Sequence, residues 1–536
     1  MSRRDELQDV ARRQFGWPHL RGGQLEAMEA VLAGRDVLAV MPTGAGKSAI
    51  YQVPAVLLGA TTLVISPLIA LQQDQIDHLA ESGAPDAVAI NSAQGAGQSA
   101  ENWEAVRRHE ADYLFLAPEQ LAKEETLALL ERNRVGLVVV DEAHCISAWG
   151  HDFRPDYLRL TDAIERLGHP PVAALTATAS PVVRREIIDR LRLREPRVIA
   201  SGFDRPNLCL QVRRHADDAA KRQAVLSATA ELTGPVLLYT ATRKDAERYA
   251  EELSSTGRSA AAYHAGMTAR QRDTVHRQFR DDDVEIVAAT SAFGMGVDKP
   301  NVRAVVHASI PGSLDSYYQQ IGRGGRDGDP ALALLFYRPE DLAPARYFST
   351  HRPDEELLRA VHAALNTGAP KRLKQLRSDV DVRGRRLTAA VNLLEQARVV
   401  RSGRDGFSAI CTDPVTALAR AMDVAASGER VDRSRIEMAR GYAEARECRR
   451  RTLLAYFGED VAQPCGNCDN CAETADRPVP VARPAVPVDT PVEHREFGTG
   501  VVISGESDRV TVLFDDYGYR TLSADVIRRT EVLQRK

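Results

Sequence analysis

Two successive series of short, almost uninterrupted apolar runs constrain what this chain can fold into. From about residue 10 to 200 the runs DVLAVM, TTLVIS, DYLFLAP, GLVVVDE and PVAALTATA alternate with helical patterns, and from about 204 to 340 PVLLYTAT, SAAAYH, EIVAAT, AVVHAS and ALLFY repeat the theme. A strand buried on both faces shows such a run instead of a polar/apolar alternation, and parallel strands joined by covering helices bury both faces. The chain is therefore expected to be α/β, with two stacked parallel-sheet domains.

The length of 536 residues and the 44% apolar content allow about three or four domains with ordinary cores. The net charge of -4 (70 basic, 74 acidic) gives no globally cationic surface, so a nucleic-acid partner must be held by local basic patches. Residues 48 to 73 carry no charge, but Pro54, Gly59, Thr61, Thr62, Ser66 and Pro67 break the stretch into a buried helix and a buried strand. No signal peptide is visible in MSRRDELQDVARR, so a cytoplasmic protein with no membrane association is expected.

The segment MPTGAGKS, 41 to 48, follows an apolar strand and opens a helix, the context in which backbone N–H groups cradle phosphates. Met41 misses the first glycine of the strict pattern, but the core remains. Thr43, Gly44, Ala45 and Gly46 form the loop, Lys47 is suited to the β- and γ-phosphates of ATP, and Ser48 offers an oxygen to magnesium. About a hundred residues later GLVVVDEAH sets Asp141 and Glu142 at the carboxyl edge of a buried strand. Asp141 would hold the same Mg2+ through water, and Glu142 would orient or deprotonate the attacking water.

In DEAHCISAWGHDFRPDY, Trp149, Phe153 and Arg154 follow the acidic pair directly and suit a stacked nucleobase; polar neighbours argue for an exposed platform over a packed core. In YYQQIGRGGRDG, 317 to 328, glycines leave Arg323 and Arg326 free to reach across an interdomain cleft toward a transferring phosphoryl group.

Beyond these two domains the patterns change. Between 354 and 410 two or three helices and a hairpin turning at SGRDG suit a winged helix, with Leu387, Val391 and Leu394 on one helical face. Ten basic residues against four acidic ones over 371 to 410 leave +6, a phosphate-binding face that includes Arg383, Arg385 and Arg386. A helical stretch from about 428 to 458 leads to Cys448, Cys465, Cys468 and Cys471, whose spacing suits a closed tetrahedral Zn2+ site, with redox chemistry as the alternative. Prolines 478, 480, 484, 487 and 491 mark a stiff linker, and the last 45 residues alternate like the strands of a small β-barrel, a tethered module that docks a protein, contacts DNA or is structural.

Residues 10 to 345 resemble the RecQ-type superfamily 2 DNA helicases through FGWPHLRGGQ, MPTGAGKS, SPLIALQQDQ, DEAHCISAWGHDFRPDY, TATA, FDRPN, FGMGVDKPNVRAVVH and YYQQIGRGGRDG. The resemblance implies two RecA-like domains and ATP-dependent movement 3′ to 5′ on single-stranded DNA, in DNA repair and recombination. It implies that Trp17, Arg21 and Gln24 hold adenine, and that Ser66, Pro67, Thr178 and Thr290 lie along DNA or couple the domains. Trp149, Phe153 and Arg154 then match the family's loop that senses single-stranded DNA. Gln320 and Gly324 stand where the family has glutamate and alanine, and the winged helix precedes the cysteines instead of following them. The C-terminal segment resembles the Tudor-like domain of UvrD-type helicases, which implies docking to RNA polymerase.

The expected boundaries are 1–203 and 204–350 for the RecA-like domains, 351–412 for the winged helix, 413–475 for the zinc module, 476–492 for the linker and 493–536 for the barrel. The expected function is that of a bacterial, nucleoid-associated, monomeric ATP-dependent DNA helicase acting on single strands and junctions. An RNA helicase, disfavoured by AWGHDFRP and Gln319, and a transcription-linked adaptor are the alternatives.

Overall fold

The computed structural model describes residues 2–536 except 68, 92–93, 109, 148–153, 201, 295–298, 344–352, 383, 404, 460, 462, 474–485, 488–489, 506–508, 516 and 531, and the side chains of 70, 96, 122, 155, 385 and 504. The first seven strands are β1 Val37–Val40, β2 Thr61–Ile65, β3 Ala87–Ile90, β4 Tyr113–Leu116, β5 Val135–Val140, β6 Val172–Thr176 and β7 Arg197–Ala200. They form one parallel sheet in the order β3-β4-β2-β5-β6-β1-β7. Its inner strands β1, β2, β4 and β6 are buried at every residue, as their uninterrupted apolar runs require. The order brings the carboxyl ends of β1 and β5, separated by β6 alone, to one edge, where open α/β sheets bind ligands.

The second domain repeats the architecture. Strands β8 Leu208–Arg214, β9 Val236–Tyr239, β10 Ala260–Tyr263, β11 Ile286–Ala289, β12 Ala304–His307 and β13 Ala331–Tyr337 pair in parallel in the order β10-β11-β9-β12-β13-β8. The tandem parallel sheets expected from the sequence are present.

Helices Glu355–Leu365, Leu373–Asp379 and Arg385–Gln396 precede a hairpin of β14 Val400–Gly403 and β15 Gly406–Ala409, the arrangement expected for a winged helix. Leu387, Val391 and Leu394 lie in its own small core with Leu357, Val361 and Leu376. The helical stretch expected over 428 to 458 is two helices, Pro414–Glu444 and Arg449–Tyr456. The first starts earlier because Asp413 caps it, its side chain accepting from Thr416 N at 2.9 Å with proline in the first turn.

The C-terminal segment is a five-stranded antiparallel sheet with a short helix, Ala524–Thr530. Its strands β16 Pro491–His494, β17 Gly498–Gly505, β18 Arg509–Phe514, β19 Gly518–Ser523 and β20 Leu533–Arg535 run in the order β19-β18-β17-β16-β20. The expected tethered arrangement is corrected. Val502, Val512 and Phe514 fill the domain's own core, whereas Ile503, Leu513 and Tyr519 belong to the large core shared with the two parallel-sheet domains and the zinc module. Alternate residues of a strand face opposite ways, so this sheet is buried on both sides and docked on the body of the protein. Most of the proline-rich stretch lies outside the described residues. Among the described residues no helix is long and apolar enough to cross a membrane.

Candidate active site and nucleic-acid cleft

The loop after β1 turns through Gly44 at φ 81° and Gly46 at φ 75°, left-handed conformations that side chains rarely adopt. Gly46 is required for space as well, since a β-carbon there would stand 2.7 Å from Gln24 Nε2. That amide donates to the carbonyls of Ala45 and Gly46 at 3.0 and 2.9 Å, and Gln24 Oε1 accepts from Arg21 N at 2.8 Å. Gln24 therefore braces the phosphate loop from beneath. Arg21 is exposed at the cleft mouth, and Trp17 stacks on Phe15 with ring centroids 4.8 Å apart. Lys47 donates to the carbonyls of Met41 and Pro42 at 3.1 and 3.3 Å, and burial pushes its pKa down, Glu142 and Asp141 opposing. Thr43 and Ser48 are half-buried on the same loop.

Asp141 and Glu142 follow β5 directly. Glu142 adopts φ 47° and ψ 46°, a strained backbone for a residue with a β-carbon, and its N–H donates to Asp141 Oδ1 at 3.0 Å. Burial pushes Asp141 up to about 7, with repulsion from Glu142 adding to the effect and Lys47 opposing it. A carboxylate so disfavoured alone is suited to a cation. Glu142 Oε2 lies 3.2 Å from His144 Nδ1, which is 2.9 Å from Thr176 Oγ1 at the end of β6. His144 was not singled out from the sequence, although it is the last letter of the DEAH run.

The two arginines of the second domain diverge. Arg326 reaches the phosphate loop: a β-carbon on Gly44 would stand 3.6 Å from its Cδ. Arg326 and Gly44 line a cavity of about 370 Å³ with Arg21, Thr43, Arg205 and Asn207. Arg323 is buried and lines a second, 550 Å³ cavity with Glu142, Arg154, Thr290, Gln319 and Gln320. Arg205 and Asn207, from the FDRPN motif, hold the arginine loop by its backbone: Arg205 Nη2 donates to the carbonyls of Gly324 and Gly325 at 2.9 Å each, and Asn207 Nδ2 to Gly325 O at 2.8 Å. The motif's match was legible, but nothing in its letters indicated those acceptors. At Gly324 a β-carbon would stand 3.3 Å from Leu208 Cδ2 and 3.5 Å from Ala331 Cβ, so alanine would fit tightly.

Arg154 ties the segment after the acidic pair to the strand end before it, donating to Pro67 O at 3.1 Å, while its N–H donates to Cys145 O at 2.8 Å. Pro67 is half-buried; Ser66 and Thr178 are buried, and their hydroxyls have no partner among the described residues. Trp149, Phe153 and Arg383 lie outside the described residues, as does the side chain of Arg385. Arg386 is exposed and pairs with Asp354 at 2.6 Å.

The sulfurs of Cys448, Cys465, Cys468 and Cys471 lie within 4.8 Å of one another. Backbone N–H groups of Cys465 and Asn467 point at the sulfurs of Cys448 and Cys465 at 3.2 and 3.4 Å, and hydrogen bonds from Cys465 and Cys468 push Cys448 down. Four converging sulfurs fit a tetrahedral Zn2+, which would take them as thiolates. The module is welded to the second domain: Asp469 accepts from Val212 N at 2.9 Å and pairs with buried Arg449, and Arg450 donates to Leu208 O at 2.9 Å.

Three families match the chain: DEAD/DEAH box helicase over residues 21–186, helicase conserved C-terminal domain over 220–328, and RecQ zinc-binding over 415–472. The chain is 35% identical to an ATP-dependent DNA helicase RecQ of Pasteurella multocida over 87% of its own length and 62% of that protein. It is 33% identical to ATP-dependent DNA helicase RecQ of Bacillus subtilis, over 87% of its length and 67% of that protein. A probable ATP-dependent DNA helicase RecS of Bacillus subtilis is 39% identical over 63% of the chain and 68% of the relative. The chain thus spans less than two thirds of the Pasteurella protein. In fold it is similar to the DUF1998 helicase MrfA, with a TM-score of 0.53 and 16% identity over 78% of this chain and 64% of that one.

Proposed function

The chain belongs to the RecQ family of helicases, and from that premise we propose that it is an ATP- and magnesium-dependent DNA helicase moving 3′ to 5′ on single strands. The observation that carries this reading is the meeting of Arg326 with the phosphate loop at Gly44, because it makes one nucleotide cleft from two domains. A nucleotide in that cleft bridges the domains, and its hydrolysis releases the bridge.

In this reading Thr43 to Ser48 wrap the phosphates, and Lys47 turns from the Met41 and Pro42 carbonyls to the β- and γ-phosphates. Trp17, Arg21 and Gln24 form the adenine end; Gln24 acts partly through the loop it braces. Ser48 and Asp141 would hold Mg2+, which supplies charge neutralisation at the phosphates. Glu142, oriented by His144, takes a proton from the attacking water. Arg326 stabilises charge on the transferring phosphoryl group, and Arg323 couples the cavity beside it to the same cleft.

Ser66, Pro67, Arg154, Thr178 and Thr290, with Trp149 and Phe153, would follow the DNA strand. The winged helix, with Arg383, Arg385 and Arg386, would hold the duplex side of a junction. Zinc would act structurally. The protein would work as a monomer on nucleoid DNA, in repair and recombination. A second proposal is a dock for RNA polymerase on the C-terminal domain, where exposed Val526 and Tyr517 supply an apolar surface. Recovery of polymerase by the full chain, and its loss on Val526→Asp, would support it.

The deciding experiment is strand displacement with ATP on 3′-tailed, 5′-tailed and forked duplexes. The 3′-tailed and forked substrates should be unwound, and Glu142→Gln should abolish DNA-stimulated hydrolysis. Unwinding of the 5′-tailed duplex alone would reverse the direction, and stimulation by RNA over DNA would overturn the substrate.

A further inference from the structure

The C-terminal sheet domain inserts one side chain between the first ATPase domain and the zinc module, which itself holds the second domain. Tyr519, on β19, donates its hydroxyl to Ser180 Oγ at 3.3 Å. Ser180 belongs to the first domain and is buried at the start of helix Pro181–Leu191, four residues after Thr176. On its other side the Tyr519 ring lies 5.5 Å, centroid to centroid, from Tyr456 of the zinc module. Tyr456 in turn donates to Asp315 Oδ2 of the second domain at 2.5 Å. The fit is close at the backbone too: at Gly518, in the left-handed region at φ 71°, a β-carbon would stand 2.6 Å from Ser434 Oγ on helix Pro414–Glu444.

Both ends of this bridge lead to hydrolytic groups. Asp315 is buried on helix Leu314–Ile321, which runs directly into Arg323 and Arg326. A buried carboxyl needs a partner to be held, and Tyr456 is its hydroxyl partner. At the other end, Thr176 Oγ1 accepts from Thr178 N at 3.3 Å and lies 2.9 Å from His144 Nδ1, itself 3.2 Å from Glu142. The bridge therefore joins the segment that orients Glu142 to the helix that carries the arginines. Shared burial adds to the polar contacts, since Ile503, Leu513 and Tyr519 lie in one apolar core with Tyr317, Tyr318, Tyr456 and Phe457.

We propose that Tyr519 is a positioning residue for ATP hydrolysis, through which the C-terminal domain braces the two ATPase domains in register and sets how DNA occupancy is converted into turnover. It rests on the helicase reading above. Tyr519 touches none of the reacting groups and acts through Ser180 on one side and Tyr456 with Asp315 on the other. A misplacement of about 1 Å at a catalytic group is enough to cost a large factor in rate, so removal of this wedge should appear in turnover more than in ATP binding.

The test uses the full chain and compares wild type, Tyr519→Phe, Tyr519→Leu and Tyr519→Ala. ATP is titrated with and without saturating single-stranded DNA, and melting midpoint and zinc content are read on each variant. Tyr519→Ala should lower DNA-stimulated kcat by roughly 5- to 10-fold with KM for ATP within about twofold. Tyr519→Phe, which keeps the ring, should restore most of the loss. Tyr519→Leu keeps apolar volume and carries the same expectation as alanine should the smaller side chain not fold. Wild-type stimulation retained in full by Tyr519→Leu or Tyr519→Ala would overturn the inference alone. So would an equal loss with and without DNA that tracks the folded fraction. Absence of DNA stimulation in the wild type would overturn the helicase reading, and this inference with it.

Discussion

His307 and Gln320 meet inside the second domain, with the imidazole Nε2 2.8 Å from Gln320 Oε1 and the ring stacked on Tyr239 at 5.3 Å. Burial pushes His307 down to about 4, so the ring is neutral near pH 7 and donates to the amide oxygen. Because the folded pKa is depressed, the stability this group provides is present above the free-histidine pKa. It is lost as pH falls from about 6.5 toward 4, by about 3 kcal/mol at most. Gln320→Glu, the residue that the family resemblance implies here, places a carboxylate beside the ring and raises the histidine pKa. Its melting midpoint should fall less between pH 6.5 and 4 than that of the wild type, and should lie below it at pH 8. Parallel melting curves would refute the coupling.

Asp141 gives a pH dependence of opposite sign. Its folded pKa is raised to about 7, so the ligand-free protein is penalised progressively from about pH 4 upward, and fully above 7. Asp141→Asn should abolish hydrolysis yet raise the melting midpoint of the ligand-free chain by a few degrees at pH 8, with a smaller gain at pH 5. A lower midpoint at pH 8 would show that the carboxylate is not strained by its burial.

Replacing Cys468 removes one of four converging sulfurs. Cys468→Ser should reduce bound zinc well below one per chain and lower the melting midpoint by several degrees, because metal binding here is also folding energy. Asp469, next to that cysteine and paired with Arg449, should loosen its hold on Val212 N in the same variant. Unchanged stability with no metal would mean that the cysteines are not structural.

The winged helix is fastened to the first domain through Arg159, 3.4 Å from Glu395 and 6.0 Å above the Phe407 ring on β15. Each contact contributes about 1 kcal/mol or less at such partly exposed positions. Arg159→Ala should leave ATPase on single-stranded DNA within about twofold, while weakening forked-duplex binding by roughly 3- to 10-fold. Equal losses on both DNAs would place the arginine in the motor itself.

The parallel sheets were legible because their inner strands are apolar on every side. β3, β7 and β8 escaped notice, and all three are sheet edges whose burial is partial, so DAVAI, RVIA and LCLQVRR carry mixed letters. The phosphate loop, acidic pair and arginines were readable because glycine spacing and strand ends announce them. The support of those groups was not: Gln24 under the loop, Arg205 behind the arginines and His144 behind Glu142 act through contacts to backbone or to distant residues. The docking of the C-terminal sheet was hidden for the same reason. The run Val512, Leu513, Phe514 shows that both faces of β18 are buried, whereas which body Leu513 meets depends on residues far away in sequence, such as Ser180 and Tyr456.

Helix Pro414–Glu444 has one end in each of two cores: Ala417 and Ala421 pack in the winged helix, and Ile436, Ala439 and Tyr442 pack against the motor. Its 31 residues form a rod of about 46 Å with no proline beyond the first position. The winged helix is thus mounted on a lever whose fulcrum is the zinc module. A tilt of about ten degrees at the Tyr442 end would sweep the winged helix through roughly 8 Å, enough to turn a small domain rotation at the nucleotide into a working stroke on the duplex.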